Sequence, residues 1–248
     1  MDSAPVLSPR SSDVERAIER AIAYLNDPEL LDEHFVFYVL DFLERRFALH
    51  VWQSMPDRYA SFLASSDVED SQKEVFRRLI EPGYIAPMKQ LEAVEDPVDR
   101  ITTRALYCRD YPLPADYEGM LRKRAIGGGY HQSHVAMAIQ WLKENGCSPY
   151  PEEIESYVVD LMAVGIDAHD RLSDLEIERA AFLGYLGRAD RAPPDLVREL
   201  VRLQNADGGW AIRPGGPSNW HPTFLALWIL LESEGRSNGA PMITPRGE

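Results

Sequence analysis

The chain is organised around the stretch Leu203-Gln204-Asn205-Ala206-Asp207-Gly208-Gly209-Trp210, followed shortly by His221-Pro222-Thr223-Phe224-Leu225-Ala226-Leu227-Trp228. The first stretch has the form of a helix end and a glycine turn closed by an aromatic residue. The second has the form of a helix start, since proline is favoured at the first helical position. Residues 225 to 231 are apolar on every face, which predicts a helix buried on all sides, whereas the helix before the turn has a single apolar stripe. The sequence therefore predicts an outer helix joined to an inner helix through a Gly-Gly-aromatic turn.

The same unit recurs upstream. Gly128-Gly129-Tyr130 precedes a segment that aligns with the start of the inner helix, and the stretch from residue 176 to 182 fits the same frame. The three copies carry Ala136, Ala181 and Ala226, each 45 residues after the one before. Two looser copies begin near residues 34 and 100. Stacked repeats of this length bury a continuous core between them.

The repeats predict an all-α protein, because no segment shows sustained apolar–polar alternation of period two. The predicted inner helices begin near His34, Val98, Ser133, Ser173 and Pro222. Nothing resembles a linker between two cores, so we expect one domain over residues 13–235. Residues 1–12 and 236–248 are expected to be flexible tails.

Charge and composition exclude several classes of function. The net charge of −14 argues against a nucleic-acid or anionic-membrane binder, which needs a basic surface. No apolar run approaches the roughly 20 residues that span a bilayer, and the first 12 residues lack the apolar core of a signal peptide. Two cysteines, Cys108 and Cys147, are expected to be reduced core residues. The expected location is the cytoplasm.

Histidines collect where the inner helices are predicted to begin. Five of the six are at or just before such a start: His34, His131, His134, His169 and His221. Asp170 and Glu176 join them near one of these predicted starts. Imidazole is a common ligand of zinc, iron and copper, and a positive helix end disfavours imidazolium. The pattern predicts a metal site on one rim of the protein; the alternative is that these histidines cap the helices.

Three aromatic residues accompany the same rim. Tyr130, Trp210 and Trp220 form either an apolar wall for a ligand or ordinary packing between hairpins. The turn Asp207-Gly208-Gly209-Trp210 favours the structural reading, because the aspartate tethers the turn and glycine reaches positive φ.

The stretch Gln204 to Trp210, followed by His221-x-Thr223, resembles the QxxDGGW-type repeat of the terpenoid cyclase and protein prenyltransferase superfamily. The resemblance covers about the last half of the chain and implies an α/α-toroid of about five to six helical hairpins. In protein prenyltransferases a histidine that opens an inner helix binds zinc, and His221 matches that position. The aspartate and cysteine ligands of that family have no counterpart here. The Asp-x-Asp-Asp acid of class II cyclases is approached only by Asp67-Val68-Glu69-Asp70.

A second resemblance competes with the first. His134, or His131, followed about 35 residues later by His169-Asp170, is similar to the metal-binding pattern of HD-domain phosphohydrolases. Both resemblances lead to the same four site residues, His131, His134, His169 and Asp170.

The sequence thus predicts an enzyme that uses a divalent metal ion, zinc or iron, as a Lewis acid or activator of water. Its substrate would be a small, partly apolar molecule, isoprenoid-like or anionic, with Glu176 as general acid or base. The expected ligand set is His131, His134, His169 and His221 around one point, joined by His34 and Asp170. The alternatives are an HD-type phosphohydrolase and a non-catalytic module that binds a ligand or peptide. No oligomeric state follows from the sequence.

Overall fold

Helices are the main secondary structure of the protein in a computed structural model, which describes residues 11–32, 34–65, 71–147, 152–167 and 172–243. Within these residues the α-helices are α1 (Ser11–Leu25), α2 (His34–Phe47), α3 (Met55–Ser65), α4 (Ser71–Phe76), α5 (Met88–Ala93), α6 (Pro97–Leu106), α7 (Tyr117–Ile126), α8 (Tyr130–Glu144), α9 (Glu152–Val164), α10 (Asp174–Tyr185), α11 (Leu196–Leu203) and α12 (Trp220–Ser233). Short 3₁₀ helices cover Pro28–Asp32, Arg77–Leu79 and Ala189–Arg191. The strands β1 (Trp210–Ala211) and β2 (Ser218–Asn219) form one small antiparallel pair in the described part. The prediction of an all-α fold is confirmed.

The helix predicted to be buried on all sides is α12. Six of its residues are 0% exposed, namely Thr223, Leu225, Ala226, Leu227, Leu230 and Leu231. It packs against α10, α1, α11 and α2, so neighbours surround it. The other predicted inner helices α2, α6, α8 and α10 begin within about four residues of their expected starts.

The inner helices follow one another in space. α6 packs against α8, α8 against α10, α10 against α12, and α12 against α2. Other helices lie beside the inner ones: α7 and α9 contact α8, while α1 and α11 contact α12. This succession agrees with alternating inner and outer helices. That the hairpins close into a toroid remains a prediction.

The Gly-Gly-Trp turn is fixed by close packing and local hydrogen bonds. Gly208 has φ +97°, and a Cβ there would overlap the backbone carbonyl of Arg20 in α1. The Asp207 carboxylate accepts from the Gly209 amide at 3.0 Å and from the Ser218 hydroxyl at 2.7 Å. The buried Trp210 donates its indole N–H to the Leu200 carbonyl at 2.9 Å. The structure therefore supports the structural reading of this turn.

The last described residues pack against the rest of the protein. The Arg45 guanidinium donates to the carbonyl oxygens of Pro241 and Met242 at 2.8 and 2.9 Å. Met242 and Ile243 are buried, and the Ile243 amide donates to the Glu144 carboxylate at 3.2 Å. Residues 241–243 of the segment predicted to be a flexible tail thus make hydrogen bonds to α2 and α8.

The two cysteines form a disulfide, so the expectation that they are reduced is wrong. Cys108 follows α6 and Cys147 follows α8, and the packing of these two helices brings their ends together. Asn145 reinforces the junction by donating to the carbonyl oxygens of Ala105 and Leu106 at 3.0 and 3.1 Å. Disulfides persist in oxidising compartments. The prediction of a cytoplasmic location therefore no longer has reduced cysteines in its favour. Among the described helices, none is both long and apolar enough to cross a membrane.

Replacing both cysteines by serine should lower the free energy of unfolding. The bridge closes a loop with a sequence separation of 39 residues, and the chain-entropy model gives a cost of about 3–4 kcal/mol for its loss. Urea denaturation with and without reductant measures the effect, and reductant should leave the Cys108→Ser/Cys147→Ser variant unchanged. Two reactive thiols in the unfolded, unreduced protein would contradict the disulfide.

Candidate metal centre

Three buried or half-buried side chains meet between α10 and α12. Asp174 and Glu178 are four residues apart, so they lie on the same face of α10. His221 lies in the first turn of α12 and faces both of them. Ligand atoms of the three side chains all lie within 4.8 Å of one another. Carboxylates and imidazole are ligands of divalent metals, so this group could bind a metal ion.

The imidazole of His221 lies between the two carboxylates. Its Nδ1 donates to Asp174 Oδ1 at 2.7 Å, and its Nε2 lies 3.4 Å from Glu178 Oε2. A carboxylate that accepts from one ring nitrogen orients the other nitrogen toward a metal. Two ligands of one tetrahedral zinc ion are separated by roughly 3.3–3.6 Å. The spacing of Nε2 and Oε2 therefore fits a shared metal ion, with Asp174 orienting the ring.

Glu178 is a carboxyl group in an apolar setting. Its side chain is 1% exposed, and it accepts a hydrogen bond from the Ser133 hydroxyl. Burial raises the pKa of Glu178, and the nearby His134 and His221 and the bond from Ser133 only partly offset this effect. A buried carboxyl with a perturbed pKa in a cavity is a candidate functional group.

Asp174 is held at both of its oxygens. One oxygen accepts from His221, and the other accepts from the Tyr130 hydroxyl at 2.7 Å. The Asp174 amide donates to the Ile212 carbonyl at 3.0 Å, which ties the start of α10 to the loop after β1. This carboxylate therefore has a fixed orientation.

The proton on His221 is favoured by its neighbours. Burial alone would lower the pKa of His221, but the hydrogen bond that its ring donates to Asp174 and the charges of Asp174 and Glu178 raise it. The sequence predicted that the positive end of a helix would leave the imidazole neutral, but at His221 the two carboxylates outweigh this effect. A metal ion would have to displace this proton on binding.

Three of the four predicted histidine ligands lie in the described residues, and they have different surroundings. His134 donates from Nδ1 to the Tyr130 carbonyl at 2.8 Å, and this nitrogen lies 4.0 Å from Glu178 Oε1, beside the group. His131 is not part of the group, and its buried Nδ1 has no hydrogen-bond partner among the described residues. His169 and Asp170 lie outside the described residues, as does the side chain of His34. Of the predicted ligands whose side chains the structure describes, only His221 belongs to the group.

Glu176 caps its own helix. Its carboxylate accepts from the Ser173 amide and the Ser173 hydroxyl, both at 2.7 Å, and from the Asp167 amide at 3.2 Å. This is a capping box, which satisfies free amides at a helix start. Glu176 therefore caps α10, and its role as general acid or base stays a prediction; the acid of this helix that lines the adjoining cavity is Glu178.

An apolar cavity of about 390 Å³ adjoins the group. Its lining includes Glu178 and His221 and, in the described residues, Phe35, Tyr38, Val39, Phe42, Phe76, Leu79, Asp96, Val98, Asp99, His134, Met137, Trp141, Phe182, Trp220, Phe224 and Met242. Acidic residues occur in this lining, whereas no lysine or arginine of the described chain does. Burial raises the pKa of Asp99, and the charge of Asp96 raises it further. The cavity therefore suits an apolar ligand and disfavours negative charge.

The three predicted aromatic wall residues have different positions. Trp220 lines the cavity and stacks on Phe224 with ring centroids 6.0 Å apart. Tyr130 supports Asp174 through its hydroxyl, and Trp210 packs beside α11; neither is in the cavity lining. The structure places only Trp220 where a ligand wall was expected.

The repeat contains a signal that points to Glu178. Ser133, Glu178 and Thr223 occupy equivalent positions, each 45 residues after the one before, and all three are buried polar residues. The other two copies have serine or threonine at this position. A charged residue in their place therefore indicates a functional site. Asp174 follows from it, because it lies one helical turn earlier.

No family model, no curated sequence and no solved structure matches this chain. The resemblances to the terpenoid cyclase superfamily and to HD-domain phosphohydrolases therefore remain predictions.

Stability should fall with rising pH because of this site. Glu178 and His221 both have raised pKa values in the folded state, so each holds its proton more tightly there than in the unfolded chain. The stability they contribute is present below their ordinary values of 4.5 and 6.5 and is lost as the pH rises through the folded-state values. With chelator present, urea denaturation should show a smaller loss between about pH 5 and 8 for Glu178→Gln than for the wild type.

The control for this experiment is Glu118→Gln, which removes a carboxyl that is 59% exposed in α7. It should follow the wild-type curve. Equal pH dependence of the wild type and Glu178→Gln would contradict the raised pKa of Glu178.

The capping role of Glu176 has a separate test. Glu176→Ala should lower the free energy of unfolding by about 0.5–2 kcal/mol, because the capping hydrogen bonds are lost. Glu176→Gln should lose less, since glutamine serves in the same box. Neither change should alter metal binding in a calorimetric titration. A loss of metal binding in both variants would indicate that Glu176 belongs to the metal site.

Proposed function

We propose that the protein is an enzyme that binds a divalent metal ion, zinc or iron, through His221 and Glu178, with Asp174 orienting the His221 ring. The proposed substrate is a small, largely apolar molecule held in the adjoining cavity. The observation that supports this proposal most is the position of a buried carboxylate–imidazole group at the end of an aromatic cavity. When bound, the metal would act as a Lewis acid or lower the pKa of a bound water.

The residues of the chain have distinct roles in this proposal. His221 Nε2 and Glu178 bind the metal, and Asp174 holds the His221 ring through Nδ1. Tyr130 and Ser133 fix the two carboxylates by donating hydrogen bonds to them. The aromatic residues of the cavity exclude water, which strengthens electrostatic interactions inside it.

The acidic lining narrows the expected range of substrates. An isoprenoid-like hydrocarbon skeleton is compatible with the aromatic wall, whereas an anionic group would meet Asp96, Asp99 and Glu178 without a lysine or arginine from the described lining. The phosphohydrolase alternative depends on His169 and Asp170, which lie outside the described residues, and His134 is not a member of the three-residue group.

A metal-free alternative is favoured by one observation. The His221 ring lies between two carboxylates, and its pKa is raised although burial opposes this. The same residues could therefore hold a proton and transfer it to a substrate in the cavity as a general acid. Metal binding distinguishes the two forms of the proposal.

Chelator-treated protein without a histidine tag should bind about one equivalent of Zn²⁺ in a calorimetric titration. His221→Asn should abolish this binding, because it removes the imidazole ligand. Asp174→Asn should weaken it by about 10- to 100-fold, because the ring loses its orienting partner.

The matched control is His50→Asn. His50 lies outside the site in an exposed turn with φ 58°, a conformation that asparagine tolerates. It should bind Zn²⁺ like the wild type. No saturable binding of Zn²⁺ or Fe²⁺ to the wild type would rule out the metal enzyme and leave the proton-transfer site or a non-catalytic binding module.

A further inference from the structure

Hydrogen bonds between the inner helices show that α8 and α10 run in the same direction. At one end, Asp174 accepts from Tyr130 and from His221, each at 2.7 Å. At the other end, the Tyr185 hydroxyl donates to the Glu144 carboxylate. Tyr130 and Glu144 are the first and last residues of α8, and Asp174 and Tyr185 are those of α10. The metal group therefore lies toward the N-terminal ends of these helices, where α12 also begins.

The last described residues are bound at the opposite, C-terminal ends of the inner helices. The Met242 amide donates to the Tyr185 hydroxyl at 3.2 Å, and the Met242 carbonyl accepts from Arg45 at 2.9 Å. The next amide, that of Ile243, donates to Glu144 at 3.2 Å. Arg45 is in the last turn of α2, while Tyr185 and Glu144 end α10 and α8. The backbone of Met242 is thus fixed among the C-terminal ends of three helices.

Met242 is also part of the cavity wall. It is 8% exposed, and it lines the same cavity as Glu178 and His221. Its amide and its carbonyl are both used in hydrogen bonds to side chains of the protein, which leaves the thioether side chain to contact a ligand. A methionine side chain is apolar and adapts its shape to what it packs against. Ile243, the next residue, is 4% exposed and does not belong to the lining.

The positions of these residues give the cavity a length. Glu178 and Tyr185 are seven residues apart on α10, which at 1.5 Å per residue is about 10 Å along the helix axis. Glu178 and His221 line the cavity at one limit of this distance, and Met242, bound to Tyr185, lines it at the other. Because the lining is mostly apolar, an apolar molecule gains free energy from burial along this length.

We infer that the cavity binds an elongated, mainly apolar molecule lengthwise and that Met242 determines the longest one that fits. The polar end of this molecule lies at Glu178 and His221, and its apolar end contacts the Met242 side chain. A longer molecule would have to displace a segment that is held by hydrogen bonds to α2, α8 and α10. The inference rests on the proposed function, because it names the shape of the substrate for the same cavity.

Straight-chain 1-alkanols from hexanol to dodecanol test the inference. Their affinities for chelator-treated wild type and Met242→Ala are measured by equilibrium dialysis. For the wild type, affinity should rise about fourfold with each added methylene and stop rising once the chain reaches Met242. Met242→Ala removes Cγ, Sδ and Cε from the wall, so its affinity should continue to rise for about two to three further methylenes.

The matched control is Ile243→Ala, which shortens a buried side chain of the same segment outside the cavity lining. It should lower the free energy of unfolding, as Met242→Ala does, but it should keep the length limit of the wild type. The inference is overturned when Met242→Ala has the same limit as the wild type, or when Ile243→Ala moves the limit equally. It is also overturned when the wild type binds no alkanol or shows no limit.

A second measurement covers the case in which Met242→Ala does not fold. In wild type labelled with ¹³C-methyl methionine, the Met242 signal is assigned by its absence from Met242→Leu, a change that nearly conserves volume. This methyl group should show a nuclear Overhauser effect to the terminal methyl group of the longest alkanol that binds and none to its CH₂OH group. An effect to the CH₂OH group, or to neither group, would refute the inference.

Failure of the inference and failure of the proposed function are separable, because the alkanol experiments contain no metal. A length limit that depends on Met242, without Zn²⁺ binding, would support the inference and refute the metal enzyme. Zn²⁺ binding without that limit would do the reverse.

Discussion

The hydrogen bond between His221 Nδ1 and Asp174 Oδ1, 2.7 Å long, is the interaction on which the site depends. It joins the first turns of α10 and α12, two helices that pack along their length. Because Asp174 is also held by Tyr130 from α8, three successive inner helices meet at one carboxylate. The position of the imidazole follows from this junction, and with it the distance from Nε2 to Glu178.

Burial of two carboxylates beside an apolar cavity is costly unless they are paired or bind a metal. Asp174 and Glu178 are 4% and 1% exposed, and their protein partners are hydroxyl groups and one imidazole. No lysine or arginine of the described cavity lining compensates them. A divalent cation would supply the missing charge, whereas protonation of Glu178 and His221 reduces the imbalance without it. Both responses are consistent with a site kept for function rather than for stability.

The Gly-Gly-Trp turn, Asp207 to Trp210, positions the site indirectly. Asp207 tethers Ser218, and the next residue, Asn219, caps α12 by accepting from the His221 amide at 2.9 Å. Thr223 accepts from the Trp210 amide at 2.9 Å, which fixes the first turn of α12 against the strand pair. These bonds set where α12 begins. The motif therefore positions His221, although none of its own side chains lines the cavity.

The sequence by itself determined the helices, their inner and outer succession, the structural turn and the position of His221 at a helix start. Periodicity carries this information, because an apolar stripe or an all-apolar segment must be buried. The sequence did not distinguish Glu176 from Glu178, which point to different sides of α10 because successive helical residues are rotated by about 100°. Only tertiary packing decided which side meets the cavity and α12. The same packing joined Cys108 to Cys147, since the ends of α6 and α8 are distant in the chain and become neighbours only when these helices pack side by side.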